Sequence, residues 1–511
     1  MDSTSPLARS LRAPLLALAI AALLANLLAF ALQNPIDDAF IFFRYARNLV
    51  DGHGLVFNPG EAVEGYTSLL WTLIIALGML AGLDPTALAQ GLGALCALGL
   101  AAVAWRFAAR LGAGFWGRLL ALAALACLPS LGATAANGLE SAAFALSVGV
   151  LLLLASRDAP PVTSLVLVGL CAVLTRPEGV LVALGALVWA AIVQRRAGRP
   201  ITPALAGAAT VAAAFAAYLL WRHATYGEWL PNTYYAKSDL LSWRLSSGLS
   251  YLARAATETW LAPALLCGVW LATSRKDAPD SPAMPRLLAL AFAASWLALI
   301  VWEGGDYFPG QRFLLPLFPL AAAWLGTALE RLLRARRPAL VAAALAASAV
   351  PLAIGWPAIH AEVRVHSDLV EIWRLIGQGL HKHLPPERSI ALSAVGVIPY
   401  ESGLPTLDLL GLTNAHIARR PPDTAIPIPA HRKHDDAYAL QSAPDYFVPS
   451  NGLLAREPWT ARPPNRELPY ETGIYADPAF DSRYTLRNIP MDRGLYLAVY
   501  ARRGLPEAEA W

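Results

Sequence analysis

Apolar runs long enough to cross a bilayer recur from end to end of this chain, and they limit its fold more than any other feature. A helix of about 20 apolar residues spans the hydrocarbon layer, and many such runs in one chain exceed what a water-soluble core can bury. Candidate spans fall at residues 12–32, 86–106, 118–135, 139–156, 161–175, 178–194, 203–222, 258–273, 286–303, 312–330 and 338–357. The 56% hydrophobic and 15% charged composition agrees, as does a mean hydropathy of +0.46. The sequence therefore predicts a polytopic α-helical membrane protein with about eleven crossings. The first run is too long for a signal-peptide core and lacks a small-residue cleavage site, so it is expected to stay as an anchor.

The run 68–83 is also apolar, and parity decides its fate. Arginine collects on the cytoplasmic side of membrane proteins. The basic segments are 9–12, 106–118, 195–199, 275–276 and 331–337. All of them fall inside if 68–83 lies along the membrane surface, and most move outside if it crosses. The N-terminus is then inside, the C-terminus outside, and 68–83 a juxtamembrane helix. The net charge of +4 reports this orientation and no nucleic-acid partner. The four cysteines, Cys96, Cys127, Cys171 and Cys267, all sit in apolar runs and suggest neither a disulfide framework nor a metal cluster. No HExxH, CxxC or Walker pattern occurs, so neither a cofactor nor a metal is expected.

Beyond residue 360 the composition turns polar and no further span follows. Residues 388–400 and 494–503 read as strands and 368–384 as an amphipathic helix, which gives an outer α/β domain over 360–511. Residues 1–359, with the first outer loop at 33–85, form the transmembrane domain.

That loop opens on "NPIDDAFIFFRYARN" directly after the first span. Read as a helix, it sets Arg44 two turns on from Asp37 and on the same side, with Tyr45 likewise placed to Asp38. One aspartate would cap a helix, and Arg44 and Arg47 would reach lipid phosphates. Two adjacent carboxylates beside an apolar span end are costly unless paired or used. A carboxylate at the membrane surface suits transfer from a lipid phosphate. It can take the proton of an acceptor hydroxyl while cations stabilise the departing phosphate. Arg44, Arg176, Lys237 and Arg312 fall at the outer face in this topology, and arginine is bidentate to phosphate.

Other outer turns carry polar groups with structural readings of their own. Glu140 in "NGLES" would complement a helix N-terminus. Arg176 and Glu178 flank the helix-breaking Pro177 in "TRPEG" and would pair locally. Asp306 in "GGDYFPGQR" would pair with Arg312. Trp229, Tyr234 and Tyr235 fit an interfacial aromatic belt. His53, alone in a turn, reads as structural.

Together these motifs resemble a known family. "DDAFIFFRYARNLVDGHGLVFNPGEAVEGYTSLLW", "NGLES", "TRPEG", "PNTYYAK", "GGDYFPGQRFLLP" and "LDLLGLTN" follow one another as in the GT-C glycosyltransferases, closest to the bacterial terminal arabinofuranosyltransferases. The resemblance implies a polyprenyl-phosphate sugar donor, a periplasmic active site in the bacterial inner membrane and a catalytic aspartate in the first outer loop, here Asp37 or Asp38. Arg44, Tyr66, Arg176, Lys237 and Arg312 become donor-binding candidates. His53, Glu64, Glu140, Glu178, Asn232, Tyr235, Asp306 and Asp408 become candidates for sugar or acceptor contacts or for support behind them. The acceptor would be a periplasmic glycan, lipid or protein. The chain departs from the family in a Pro- and His-rich stretch at 419–436, so acceptor identity does not carry over. A lipid-linked sugar transporter is the alternative, but span interiors nearly free of charge and the lack of matching halves speak against it. A non-catalytic envelope assembly protein is the third reading.

Overall fold

The computed structural model describes residues 9–274, 283–426, 428, 431–462 and 468–510. The basic pair at 275–276 lies outside them. Each apolar run expected to cross contains a helix. Among the described residues, six helices are long and apolar enough to cross alone: Arg12–Ala31, Pro85–Arg110, Gly179–Arg196, Thr202–Tyr226, Arg286–Glu303 and Pro338–His383. Two bent pairs raise the number to as many as eight. Phe115–Ala126 with Pro129–Ala136 turns by 55°, and Leu241–Glu258 with Leu261–Thr273 turns by 92°. The remaining candidate runs are trimmed by turns. Residues Ser141–Ala155 and Val162–Thr175 give helices of 15 and 14 residues, and 312–330 becomes the 17-residue helix Phe318–Arg334. The run 68–83 forms Leu69–Leu80, whose 12 residues reach only ~18 Å, short of the ~30 Å hydrocarbon layer.

The chain divides into two compact units. The first holds residues 1–33, 86–218 and 241–365. Its core is built from span faces rich in alanine and leucine, and helix Phe318–Arg334 is buried from Phe318 to Glu330. The second unit joins residues 34–85, 219–240 and 366–511. The first outer loop, grouped with the spans in the sequence reading, thus packs with the C-terminal residues. The cause is polar: side chains of the loop find their partners on that part of the chain.

The sheet of this second unit has six strands. We number them β1 (Ile390–Leu392), β2 (Thr406–Asp408), β3 (Tyr446–Phe447), β4 (Leu453–Ala455), β5 (Tyr484–Met491) and β6 (Leu495–Arg502). The order is β2-β1-β3-β6-β4, with β5 also pairing β6. β1 runs parallel to β2 and β3, and β6 antiparallel to β3, β4 and β5. Alternation sorts the faces. Ile390, Leu392, Leu497 and Val499 pack with Ile376 and Leu380 near the end of the long helix, while Ala391, Phe447 and Tyr500 pack with Tyr475 and Phe480. The strand expected over 388–400 is cut to three residues, because Val397–Ser402 forms a short helix. The strand expected over 494–503 forms as β6.

Candidate active site

The two aspartates open the helix Asp37–Val50, which follows the extended residue Ile36. Their fates differ. Asp37 Oδ2 accepts the Gly396 N–H at 3.0 Å and Oδ1 the Val397 N–H at 2.8 Å. Asp37 therefore caps the N-terminus of helix Val397–Ser402, which has no side-chain cap of its own. Gly396 makes this possible, since a Cβ there would sit 2.0 Å from the Asp37 carbonyl oxygen. Burial pushes the Asp37 carboxyl up to about 7, with Asp38 and Asp408 adding to the push and the two amides opposing it. Asp38 accepts no backbone amide among the described residues. Its carboxylate is 19% exposed and meets Lys237 Nζ at 3.4 Å, at the end of helix Asn232–Lys237.

Arg44, expected to face a phosphate, is spent inside the protein. Its guanidinium donates to the carbonyls of Phe57, Pro399 and Leu404 and to the Asn58 side chain, and it is 4% exposed. Arg47 donates to the Tyr400 carbonyl and lies over that ring. Asn58, which sequence reasoning did not single out, also donates to the Thr406 carbonyl and accepts its N–H.

The other candidates of this unit are mostly structural. The Tyr66 and Tyr226 hydroxyls meet at 3.1 Å in the interior. Glu64 pairs with Arg222 at 2.6 Å, both buried. Asn232 donates to the carbonyls of Gly411 and Leu412. Asp408 organises that same loop, accepting from the amides of Leu410, Gly411 and Thr413 and from the Thr413 hydroxyl. Burial raises its pKa against those bonds. Tyr235 is half-buried with the Arg419 guanidinium over its ring. His53 is exposed in the turn after the first-loop helix, and its ring makes no hydrogen bond among the described residues.

The first unit carries the remaining candidates. Arg176 follows the helix that ends at Thr175 before Pro177, and pairs with Glu140 at 3.0 Å and Glu178 at 2.8 Å. Arg312 pairs with Asp306 at 2.5 Å and lies over the rings of Phe308 and Phe313. Gly305, at φ +71°, lets the chain turn where a Cβ would meet Tyr251 at 2.6 Å. Arg176, Glu178, Glu303 and Arg312 line one narrow cavity with Phe144, Trp296 and Phe313, with space for about one water molecule. Glu303 is a member that sequence reasoning missed. Its signal was available, as an acid closing a span at the head of "EGGDYF".

Comparisons with known proteins bear on this arrangement. Over 97% of its length the chain superposes on 98% of ArnT from Cupriavidus metallidurans in the apo state, with a TM-score of 0.58 at 14% identity. The chain shares the fold of ArnT. A helical membrane fold with a C-terminal sheet domain is what the motifs led one to expect. ArnT bound to undecaprenyl phosphate matches with a TM-score of 0.51 at 15% identity, over 77% of this chain and 85% of that one. In sequence, the terminal β-(1→2)-arabinofuranosyltransferase of Mycobacterium tuberculosis is 30% identical over 329 residues. The match covers 56% of this chain and spans 51% of that relative, about half its length. A family described as a domain of unknown function, DUF8728, matches residues 358–494.

Proposed function

We propose that this protein is a GT-C membrane glycosyltransferase that moves a sugar, arabinofuranose in the first instance, from a polyprenyl phosphate to a periplasmic glycan, lipid or protein. It would work at the outer face of the bacterial inner membrane. One observation carries the reading: of two adjacent acids after the first span, Asp37 is held by two amides while Asp38 stays accessible beside a single ammonium. The fold shared with ArnT and the likeness to an arabinofuranosyltransferase support the reaction class.

In this mechanism Asp38 accepts the proton of the acceptor hydroxyl as its oxygen bonds to the anomeric carbon. The bond from that carbon to the phosphate oxygen breaks, and the lipid phosphate leaves with the electron pair. Lys237, next to Asp38, is the cation at hand for the charge that develops.

Replacing Asp38 by Asn tests this. Loss of a general base costs about 10²–10⁴-fold in rate, so envelope glycans from a strain carrying D38N should lack the added sugar, read by mass spectrometry as one missing pentose or hexose. D37N should keep measurable transfer. Undiminished transfer by a folded D38N protein removes the mechanism.

A further inference from the structure

The stretch 419–436, with its prolines and histidines, is left without a role by the reaction scheme. Two of its cations grip the segment that carries Lys237. Lys433 is 6% exposed. Its ammonium donates to the Tyr235 carbonyl at 2.5 Å, the Ser238 hydroxyl at 2.9 Å and the Ala418 carbonyl at 2.9 Å. An ammonium has three hydrogens, so Lys433 is fully occupied and serves as a clamp, unavailable to substrate. Its neighbour Arg432 pairs with Asp239 and donates to the Ile426 carbonyl. The grip thus brackets Lys237: Tyr235 lies two residues before it, and Ser238 and Asp239 follow it directly. Helix Asn232–Lys237 has only six residues, too few to hold its own end in place. Asn232 secures its other end to the Gly411 and Leu412 carbonyls.

We propose that Lys433 is a positioning residue for the candidate centre, clamping the end of helix Asn232–Lys237 so that the Lys237 ammonium stands against Asp38. Its catalytic consequence rests on the reading of Asp38 as the base; the positioning itself does not.

The chain has only four lysines, Lys237, Lys276, Lys382 and Lys433, so amine acylation of the full-length protein in detergent reports Lys237 directly by peptide mass spectrometry. Acetic anhydride at limiting dose and fixed pH is the probe. An exposed ion pair of this kind is worth about a threefold change in equilibrium. Labelling of Lys237 relative to Lys382 should therefore rise about threefold in Lys433→Met, match that rise in Asp38→Asn, and return to the wild-type ratio in Lys433→Arg. Ser238→Ala, which removes one of three acceptors, should give a smaller rise and serves if Lys433→Met does not fold. An unchanged Lys237 ratio in folded Lys433→Met, or in Ser238→Ala if that variant alone folds, overturns the inference. Because labelling needs no sugar donor, absence of transfer by the wild-type protein would refute the proposed reaction and leave this result standing.

Discussion

Asp37 and Asp38 share a peptide bond and divide two jobs between them. Asp37 works as a cap for another segment, and its proton is held more tightly folded than unfolded. A carboxyl at about 7 in the fold, against 3.8 ordinarily, makes the unfolded chain release its proton first as pH rises. Stability from this group is thus greatest in acid and is lost between about pH 4 and 7. Asn cannot ionise, so thermal melts of D37N should decline less over that window than those of the wild type; parallel curves would refute the assignment. The buried pair Glu64–Arg222 gives a second residue-scale expectation. R222M would strand a carboxylate in the interior and cost about 3–5 kcal/mol, seen as a lower denaturant midpoint, while the double variant with E64Q recovers part of the loss. A single variant that melts like the wild type would show the pair to be dispensable.

Among elements, the short helix Val397–Ser402 shows how local reading falls short. Residues 388–400 carry the β-branched and apolar pattern of a strand, and only Ile390–Leu392 takes it. The rest turns helical because a carboxylate from some 360 positions earlier satisfies its first amides. Gly396 is the hinge of that contact. In G396A the new methyl meets backbone, which cannot yield as a side-chain tip could, so a loss of about 1–3 kcal/mol is expected and a Tm several degrees lower. A wild-type Tm for G396A would mean that the close approach of Asp37 is not needed. The helix Leu69–Leu80, by contrast, is legible from composition and length alone.

On the scale of the whole molecule, one unit is assembled from three segments far apart in sequence. The first loop bonds to itself, as where Tyr45 donates to the Val63 carbonyl and Asn48 to those of Val56 and Phe57, but it also leans on the C-terminal residues. Asp37, Arg44, Arg47 and Asn58 all bond to residues between 396 and 406. A chain ending at residue 386 should therefore expose the loop, and limited proteolysis should newly cut it between residues 63 and 68, which are buried or half-buried in the full-length protein. Equal resistance in both would show that the loop folds without the C-terminal residues.

The sequence by itself determined the class: long apolar runs, their bounding turns and the arginine-rich loops are local properties, readable from composition and spacing. It also marked the acids after the first span and the pairs at Arg176–Glu178 and Asp306–Arg312, since those partners lie a few residues apart. Only the tertiary structure decided which aspartate stays accessible, where the Arg44 guanidinium is held and what Lys433 clamps. Those outcomes depend on hydrogen bonds between segments tens to hundreds of residues apart, and no period or spacing along the chain encodes which donor will meet which acceptor.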